Sequence, residues 1–334
     1  MRNKFNLAVI GTNFIVPKFI DAAEQSGYFH LYSIMSREIQ SGVNFRDANK
    51  YNSKVVVYDN IDDMLNDDNV DVVYVASPNA IHFAQAKACV NAGKVVIVEK
   101  PMTSNIKELN ELIALAKEKN VLLMDGMKSL LCPNFNVLVE SIAKVGRIRQ
   151  CTSTYAKISS RYQAYLDGNN PNTFNSTLSN GSVMDLGVYC LYPFVQLFGS
   201  PKKVHAYADL LDSGVDAAGA IILKYQDFHV SIAHSKVCAS TNSSEIQGEQ
   251  GTIVIDNIST FKGLKFVDKT GQETDLSTQQ DANSLFYIAQ HLGESISSGL
   301  MESPVNTHVL SLKVMNILDE VRGQTGVRFP ADNE

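Results

Sequence analysis

Six short apolar runs in the first third of the chain most constrain its fold. Each run is continuous rather than alternating, which is typical of strands buried on both faces of a parallel sheet. The predicted strands are residues 7–10, 31–35, 55–57, 72–75, 95–98 and 121–124. Segments with helical spacing separate them, and right-handed crossovers then give a doubly wound α/β sheet of the Rossmann type.

Helix boundaries in this part can be predicted from residues that cap helices. Asn79 can cap the helix between the fourth and fifth strands, and Gly93 can end it. The next helical stripe follows Thr103 and Ser104, and either hydroxyl can serve as its cap.

The pattern changes beyond Pro133, where strands with a period of two replace the continuous runs. A helix is predicted near 135–143, strands at 151–158, 218–224, 229–234 and 252–255, and a closing helix at 307–321 that packs back on the body. This pattern predicts a second, α+β domain with a largely antiparallel open sheet. We therefore predict a dinucleotide-binding domain at 1–128 and a substrate-binding and oligomerisation domain at 129–334.

Charge and composition exclude several classes of protein. The 334 residues carry a formal charge of −6 without a basic stripe, which disfavours nucleic-acid binding. The first apolar run is too short for a signal peptide or a membrane span, so a cytoplasmic protein is expected. The five cysteines include no CxxC pair and the seven histidines no HExxH pair, so no metal site is predicted.

The turn after the first predicted strand is a candidate phosphate cradle. Of the three glycines in a dinucleotide-binding fingerprint only Gly11 is present, with Asn13 and Val16 in the other two places. Asparagine tolerates positive φ, so Asn13 is the least unfavourable substitute. An ordinary strand-to-helix turn is the alternative. The predicted cofactor contacts in this turn are Gly11, Thr12, Asn13, Phe14 and Ile15.

Two residues after the second strand bear on the choice of cofactor. An NAD-dependent enzyme places a carboxylate there for the ribose hydroxyls, whereas this chain has Ser36 and Arg37. A hydroxyl and a guanidinium suit a 2′-phosphate, so NADP is favoured. The nearby Glu38 keeps NAD open, as does a reading of Arg37 as a surface residue.

The segments ASPNAIH, from Ala76, and VEKP, from Val98, carry a family resemblance. With the intervening Ala-Gly-Lys, they resemble the glucose-fructose oxidoreductase and inositol dehydrogenase (Gfo/Idh/MocA) family of NAD(P)-dependent enzymes. The later segment SNGSVMDLGVYCLYP resembles that family's substrate-domain helix. In this segment, Tyr189 stands where many relatives have histidine. Relatives that resemble dihydrodiol and xylose dehydrogenases also have a tyrosine at this position. The cofactor contacts that the resemblance implies are Ser77, Pro78, Asn79, His82, Glu99 and Lys100.

The resemblance also implies a catalytic group. Lys100 is expected to point at the substrate oxygen, where an ammonium stabilises a developing alkoxide. Tyr189 is predicted to relay the proton, with the Lys100 charge lowering the pKa of its phenol and Asp185 orienting the pair. Asp185 and Tyr189 are four residues apart, so an α-helix would place them on one face. Without the resemblance, a strand-end lysine and a packed tyrosine are the ordinary interpretations.

Substrate contacts depart from the family pattern in one segment and are open in another. The resemblance predicts an arginine and a histidine where Leu130 and Cys132 stand. In the polar segment 159–175, Arg161 and Tyr165 are candidate substrate contacts, in addition to Lys100. The alternative is that this segment is a flexible surface loop.

The predicted function is transfer of a hydride between nicotinamide and a hydroxyl or carbonyl of a sugar, polyol or dihydrodiol. A non-catalytic NAD(P)-binding regulator on the same fold is the alternative. The open sheet face of the second domain predicts a homodimer or homotetramer.

Overall fold

The structure, a computed structural model, describes residues 4–333 and divides into two compact units. The first unit extends to Met127 and also includes Asp281–His308. The second comprises Lys128–Gln280 and the chain from Val309 onward. The domain limits predicted at residues 1 and 334 lie outside the described residues.

The first unit contains a six-stranded parallel sheet in the order β3-β2-β1-β4-β5-β6. Its strands are β1 (Phe5–Ile10), β2 (Phe29–Met35), β3 (Val56–Tyr58), β4 (Val72–Val75), β5 (Val95–Val98) and β6 (Leu123–Asp125). All six predicted strands are present, and the Rossmann-type class is confirmed. The strand order reverses between β1 and β4, which is where ligands bind in such sheets.

Among the described residues, six α-helices belong to this unit. They are α1 (Ile15–Gln25), α2 (Ile39–Ala48), α3 (Ile61–Leu65), α4 (His82–Asn91), α5 (Ile106–Lys119) and α9 (Leu285–Ser297). In α1 the apolar residues Val16, Phe19, Ile20 and Ala23 recur at helical spacing and are buried. This stripe fixes the helix on the sheet, so its first turn lies at the end of β1.

Two predicted helix caps are wrong. Asn105 caps α5, because its side-chain oxygen accepts a hydrogen bond from the Glu108 N–H at 2.9 Å, and Thr103 and Ser104 precede this cap. The Glu108 carboxylate in turn accepts a bond from the Ser104 N–H at 2.8 Å, so three residues close the turn reciprocally. Asn79 opens a short 3₁₀ turn, and α4 begins only at His82.

The division of the chain differs from the predicted limits at Asp281–His308, which was expected in the second domain. Helix α9 packs against α1 in the first unit. Asn306 donates hydrogen bonds to the carbonyl groups of Asp125 and Met127, at 3.2 and 2.7 Å. These bonds tie the returning chain to the end of β6, and no local sequence pattern reports a contact over about 180 residues.

The second unit contains an eight-stranded sheet in the order β14-β13-β12-β11-β7-β10-β9-β8. Its strands are β7 (Ile148–Ala156), β8 (Lys203–Leu210), β9 (Asp216–Lys224), β10 (His229–Ser235), β11 (Ser244–Gly248), β12 (Gly251–Asp256), β13 (Gly263–Asp268) and β14 (Glu273–Asp275). Only the β7–β10 pair is parallel among these strands. The predicted largely antiparallel sheet is confirmed.

Four helices complete the second unit: α6 (Pro133–Ser141), α7 (Tyr162–Leu166), α8 (Val188–Phe198) and α10 (His308–Thr325), of which α10 begins at the unit boundary. The side chain of Gln324 in α10 bonds both the N–H of Ala206 and the carbonyl of Val204, at 2.9 Å each. The closing helix is thereby tied to β8. Val309, in the first turn of this helix, is exposed.

Candidate active site

The turn between β1 and α1 requires a glycine at its first position. Gly11 has φ of +108°, and a Cβ there would lie 2.7 Å from the carbonyl oxygen of Ala76. Its N–H donates to the Met35 carbonyl at 3.0 Å. Gly11 therefore lets three strand ends, those of β1, β2 and β4, approach closely at the point where the strand order reverses.

Asn13 replaces a glycine for a reason other than the one predicted. Its backbone does not adopt a positive φ. Its amide nitrogen instead donates to the Ala76 carbonyl at 2.5 Å, and its side-chain oxygen accepts the Ile15 N–H at 3.0 Å. Asn13 thus joins the β4 end to the first turn of α1.

The rest of this turn faces solvent. Thr12 is exposed, and Phe14 is 80% exposed at the N-cap of α1 without any side-chain cap bond of its own. A positive helix end beside a glycine cradle fits the pyrophosphate of a dinucleotide. The Ile15 N–H already donates to the Asn13 side chain. The exposed residues Thr12 and Phe14 are therefore the part of the turn that can contact such a ligand.

At the end of β2, Ser36 and Arg37 differ in exposure. Ser36 is buried, and its hydroxyl donates to the Glu38 carbonyl at 2.5 Å. Arg37 is exposed. The hydroxyl proton of Ser36 is therefore committed to the backbone, and the guanidinium is the donor at this strand end that faces solvent.

His82 joins the two loops that carry the family motifs. Its ring nitrogens lie 2.8 Å from the Ser77 carbonyl and 3.0 Å from the Pro101 carbonyl, and the ring is buried. Burial lowers the pKa of His82, so the neutral ring donates to one of these carbonyls. Both nitrogens contact backbone carbonyl groups, so His82 holds the two loops together, and its cofactor contact stays a prediction.

The loop after β5 carries Lys100, and contacts from β4 and from the chain after β6 fix its position. Glu99 accepts a hydrogen bond at 2.6 Å from the hydroxyl of Tyr74, a fully buried residue whose ring stacks on Phe19. A Cβ on Gly126 would lie 2.7 Å from the Val98 carbonyl, so the chain after β6 passes directly against this loop. Lys100 itself is half-buried. Its backbone is therefore held on two sides.

The remaining motif residues lie along the same loops. The Ser77 hydroxyl donates to Gln85 at 2.7 Å, Pro78 precedes the 3₁₀ turn, and Asn79 begins it. All of them follow β4 directly, beside the Gly11 turn. The first unit thus brings together the predicted cofactor residues that follow β1, β4 and β5.

In the second unit, Asp185 and Tyr189 lie on one continuous helical segment. Asp185 is in a π-helical turn, Val183–Gly187, and Tyr189 is in the first turn of α8. A π turn holds more residues than an α turn, so the predicted α-helical spacing does not apply between them. Asp185 is half-buried, while Tyr189 is 9% exposed and packs edge-to-face on Tyr155 with ring centroids 5.7 Å apart.

A lysine that the sequence pattern did not single out pairs with Asp185. The Lys236 ammonium lies 2.6 Å from the Asp185 carboxylate and also donates to the Thr173 hydroxyl. In HVSIAHSK the apolar residues Val230 and Ile232 alternate with polar ones, and His234 and Lys236 continue the inward positions. That inward register is the signal by which both residues could have been found.

A buried polar cluster supports the π turn. The Asp216 carboxylate accepts the Val183 N–H at 2.6 Å, and His234 Nδ1 lies 2.9 Å from the Ser182 hydroxyl. Burial raises the pKa of Asp216 to about 7 and lowers the pKa of His234 to about 4. Both shifts have the same cause, because burial disfavours the ionised carboxylate of Asp216 and the protonated imidazole of His234.

The other substrate candidates divide between surface and core. Arg161 is exposed at the start of α7, and Tyr165 in the same helix packs on Phe174 with ring centroids 5.4 Å apart. Leu130 and Cys132, where the family pattern has an arginine and a histidine, are both buried. They contribute to the core of the second unit.

Two features are absent from the part of the chain that the structure describes. Residues 4–333 contain no cluster of three or more His, Cys, Asp or Glu side chains that could hold a metal ion. In the same part of the chain, no helix combines the length and apolar character needed to cross a membrane.

The doubly wound sheet, the glycine cradle at its switch point and the supported lysine loop define an NAD(P)-binding oxidoreductase. Comparison with known proteins agrees. Residues 5–127 match the model of an oxidoreductase family with an NAD-binding Rossmann fold, and residues 142–254 match the GFO/IDH/MocA C-terminal domain. The chain belongs to the GFO/IDH/MocA family of oxidoreductases.

Three relatives illustrate its place in that family. The chain is 43% identical to the uncharacterized oxidoreductase YgjR of Escherichia coli, over 98% of each protein. It is 41% identical to the NADP(+)-dependent scyllo-inositol 2-dehydrogenase IolU of Bacillus subtilis, over 97% of this chain and 98% of that protein. Identity to the mouse trans-1,2-dihydrobenzene-1,2-diol dehydrogenase is 27%, over 92% of each. The inositol enzyme is thus more similar than the dihydrodiol enzyme.

Proposed function

We propose that this oxidoreductase is NADP-dependent and interconverts a ring hydroxyl and a ketone on a cyclic polyol. The observation that carries the proposal is the Lys100 loop, whose position is held by Tyr74, His82 and Gly126. The name of IolU supports the polyol class. The sugars and dihydrodiols that the sequence pattern also allows are the competing substrates.

Lys100 is proposed to act on the substrate oxygen. An alcohol that loses a hydride must also lose its hydroxyl proton, and a nearby ammonium stabilises the alkoxide that develops. A half-buried amine on a firmly supported loop suits this role, because fixed charges aimed at the reacting atom need no reorganisation during the reaction.

Tyr189 is proposed to receive that proton, and Asp185 to orient the substrate hydroxyl beside it. Tyr189 is largely buried against Tyr155, which restricts its ring. A phenol is a weak base at neutral pH, so its activity requires a cation near the same atom. We therefore propose that Lys100 and Tyr189 act on one oxygen, with Arg161 and Tyr165 contacting the more distant hydroxyls.

The cofactor is proposed to lie along the turns that follow β1, β2 and β4. When bound, nicotinamide supplies the group that accepts or donates the hydride. Gly11 lets the end of β4 approach this turn closely, the first turn of α1 offers a positive helix end to a pyrophosphate, and Arg37 offers an exposed guanidinium for a 2′-phosphate. Glu38, which follows Arg37, is the N-cap residue of α2. Its carbonyl oxygen accepts the hydrogen bond from the Ser36 hydroxyl.

A steady-state assay tests this proposal. The purified protein is incubated with NADP⁺ or NAD⁺ and with scyllo-inositol, myo-inositol, glucose, xylose and a dihydrodiol, and formation of the reduced cofactor is followed by absorbance. We expect the highest kcat/KM with an inositol and NADP⁺. An Arg37→Ala variant should lose preference for NADP⁺ without losing turnover with NAD⁺. Turnover confined to glucose, xylose or the dihydrodiol would overturn the substrate class, and unchanged preference in Arg37→Ala would overturn the cofactor assignment.

We further propose that two copies of the chain associate through the open face of the second sheet. That face exposes Tyr207 and Ile222, with Tyr207 opposite Ala220 and Ala220 opposite Ala233. Exposed apolar side chains on a sheet face can pack on a second copy about a two-fold axis. A homotetramer is the alternative assembly.

All five cysteines are free thiols, which supports the proposed cytoplasmic location.

A further inference from the structure

Lys236 is an unusual residue to find in the interior of the second unit. It follows the last residue of β10 and is 2% exposed. A lysine is rarely buried to this extent unless its ammonium is paired, because removing the charge from water is costly. The partners of Lys236 therefore indicate what its burial achieves.

Those partners come from two segments of the chain. The ammonium lies 2.6 Å from a carboxylate oxygen of Asp185, in the π turn. It also donates to the hydroxyl of Thr173 and lies 5.7 Å from the centroid of the Phe174 ring. One buried cation thus contacts the segment that carries the proposed substrate-orienting carboxylate and the segment that precedes it.

The Phe174 ring extends this connection to α7. Its centroid lies 5.8 Å from that of Tyr162 and 5.4 Å from that of Tyr165. Helix α7 starts beside Arg161, which is a proposed substrate contact together with Tyr165. A continuous set of contacts therefore runs from Asp185 through Lys236 and Phe174 to Tyr165.

We propose that Lys236 is a positioning residue that holds the Asp185 carboxylate and the segment 161–174 in register, so that both contact the same substrate. This inference rests on the proposed function, in which Asp185 and Tyr165 contact substrate. Lys236 itself contacts neither substrate nor cofactor in this account. It acts through the orientation of Asp185 and the placement of Thr173 and Phe174.

A double-mutant cycle separates this role from a purely structural one. Lys236→Met should lower kcat for the best substrate by about 10- to 100-fold and raise its KM several-fold, because small displacements at a reacting centre cost this much. The Kd for NADP should change less than about twofold. If Lys236 acts through Asp185, the Lys236→Met/Asp185→Asn double variant should be no more than about threefold slower than Asp185→Asn alone.

Multiplication of the two single effects in the double variant would overturn the proposal. Thr173→Val, which removes one hydroxyl while keeping the side-chain shape, should raise KM with little change in kcat. Lys265→Met is the control, since Lys265 forms a surface ion pair with Glu273 in the same sheet and should retain the wild-type rate.

Hydrogen exchange gives a readout that does not depend on turnover. In Lys236→Met the amides of residues 172–174 and 183–187 should exchange at least about tenfold faster, while those of β1 and β4 keep their wild-type rates. If the wild-type protein oxidises no polyol, the proposed function fails and this measurement still judges the Lys236 contacts. Unchanged exchange in 172–174 and 183–187 would overturn the proposed positioning role.

Discussion

Asn13 shows how one residue can serve in place of a glycine. Glycine at this position of the fingerprint allows the backbone to approach a pyrophosphate, and asparagine was expected to imitate it through positive φ. In the structure the φ of Asn13 is not positive, and its side chain instead makes two hydrogen bonds, one to Ala76 and one to Ile15. The turn is thus held by a side chain, and its sequence departs from the fingerprint without losing its shape.

Asn13→Ala should therefore destabilise the protein and weaken cofactor binding. Loss of two hydrogen bonds at this largely exposed turn lowers the free energy of unfolding by about 1 kcal/mol. We expect the Kd for NADP, measured by calorimetry, to rise about three- to tenfold. Asn110→Ala is the control, since Asn110 is exposed on α5 and bonds only the preceding turn. Equal or tighter binding in Asn13→Ala would show that the side chain does not hold the turn.

Lys100 and Tyr189 can be distinguished by their separate removal. Lys100→Met should lower kcat by about 10²- to 10⁴-fold, because it removes the charge that stabilises the alkoxide. Tyr189→Phe should lower kcat by about 10²- to 10³-fold, as is typical for loss of a general base. The Tyr189→Phe variant should still bind NADP with wild-type affinity by fluorescence titration. Undiminished turnover in Tyr189→Phe would remove the proposed role.

At the scale of elements, a strand caps the helix that carries the substrate residues. The buried Asp216 carboxylate, at the start of β9, accepts a hydrogen bond from the N–H of Val183 at 2.6 Å. This N–H is among the first donors of the helical segment, which have no partner within the helix. Ser182 also bonds His234 from β10. Two strands therefore fix the start of the segment that bears Asp185 and Tyr189.

The pH dependence of stability should expose this cluster. Burial raises the pKa of Asp216 from 3.8 to about 7, so between these values the folded protein binds more protons and its stability falls as pH rises. Burial lowers the pKa of His234 from 6.5 to about 4, so the unfolded chain binds more protons and stability rises with pH. Between about pH 4 and 6.5 the two slopes oppose each other.

Variants at the two positions should therefore change the slope in opposite directions. Relative to wild type, Asp216→Asn should gain stability as pH rises from about 5 to 6.5, and His234→Gln should lose it, each by at most about 1.4 kcal/mol per pH unit. Urea unfolding at several pH values measures these differences. Slopes of the same sign in the two variants would contradict the assignment of the shifts.

At the scale of the whole molecule, the second sheet has two unlike faces. Ile221, Leu223, Val230 and Ile232 are buried on one face. On the other face Tyr207 is 81% exposed and Ile222 is also exposed. These two exposed apolar side chains lie on the edge strand β8 and its neighbour β9, and they are the basis of the proposed self-association.

Charges introduced into this face should separate the proposed dimer. The double variant Tyr207→Glu/Ile222→Glu should sediment as a monomer at concentrations where the wild-type chain sediments as a dimer, because like charges would meet across the two-fold axis. Val139→Glu, on the exposed side of α6, is the matched control and should retain the wild-type state. A monomeric wild-type chain would overturn the proposed assembly.

The sequence by itself determined the elements and the class of fold, because continuous apolar runs and helical stripes act over a few residues. The six parallel strands, the antiparallel second sheet and the glycine turn were all predictable on this basis. The ordered motifs around His82 and Lys100 also indicated the family.

Only the tertiary structure decided which side chains act together. The Lys236–Asp185 pair joins residues 51 positions apart, and the bond from Asn306 to Asp125 spans 181. The roles of Asn13 and His82 likewise depend on backbone carbonyls supplied by other loops. Periodicity reports which face of an element is buried, whereas the partner on that face is chosen by chain packing over long sequence separations.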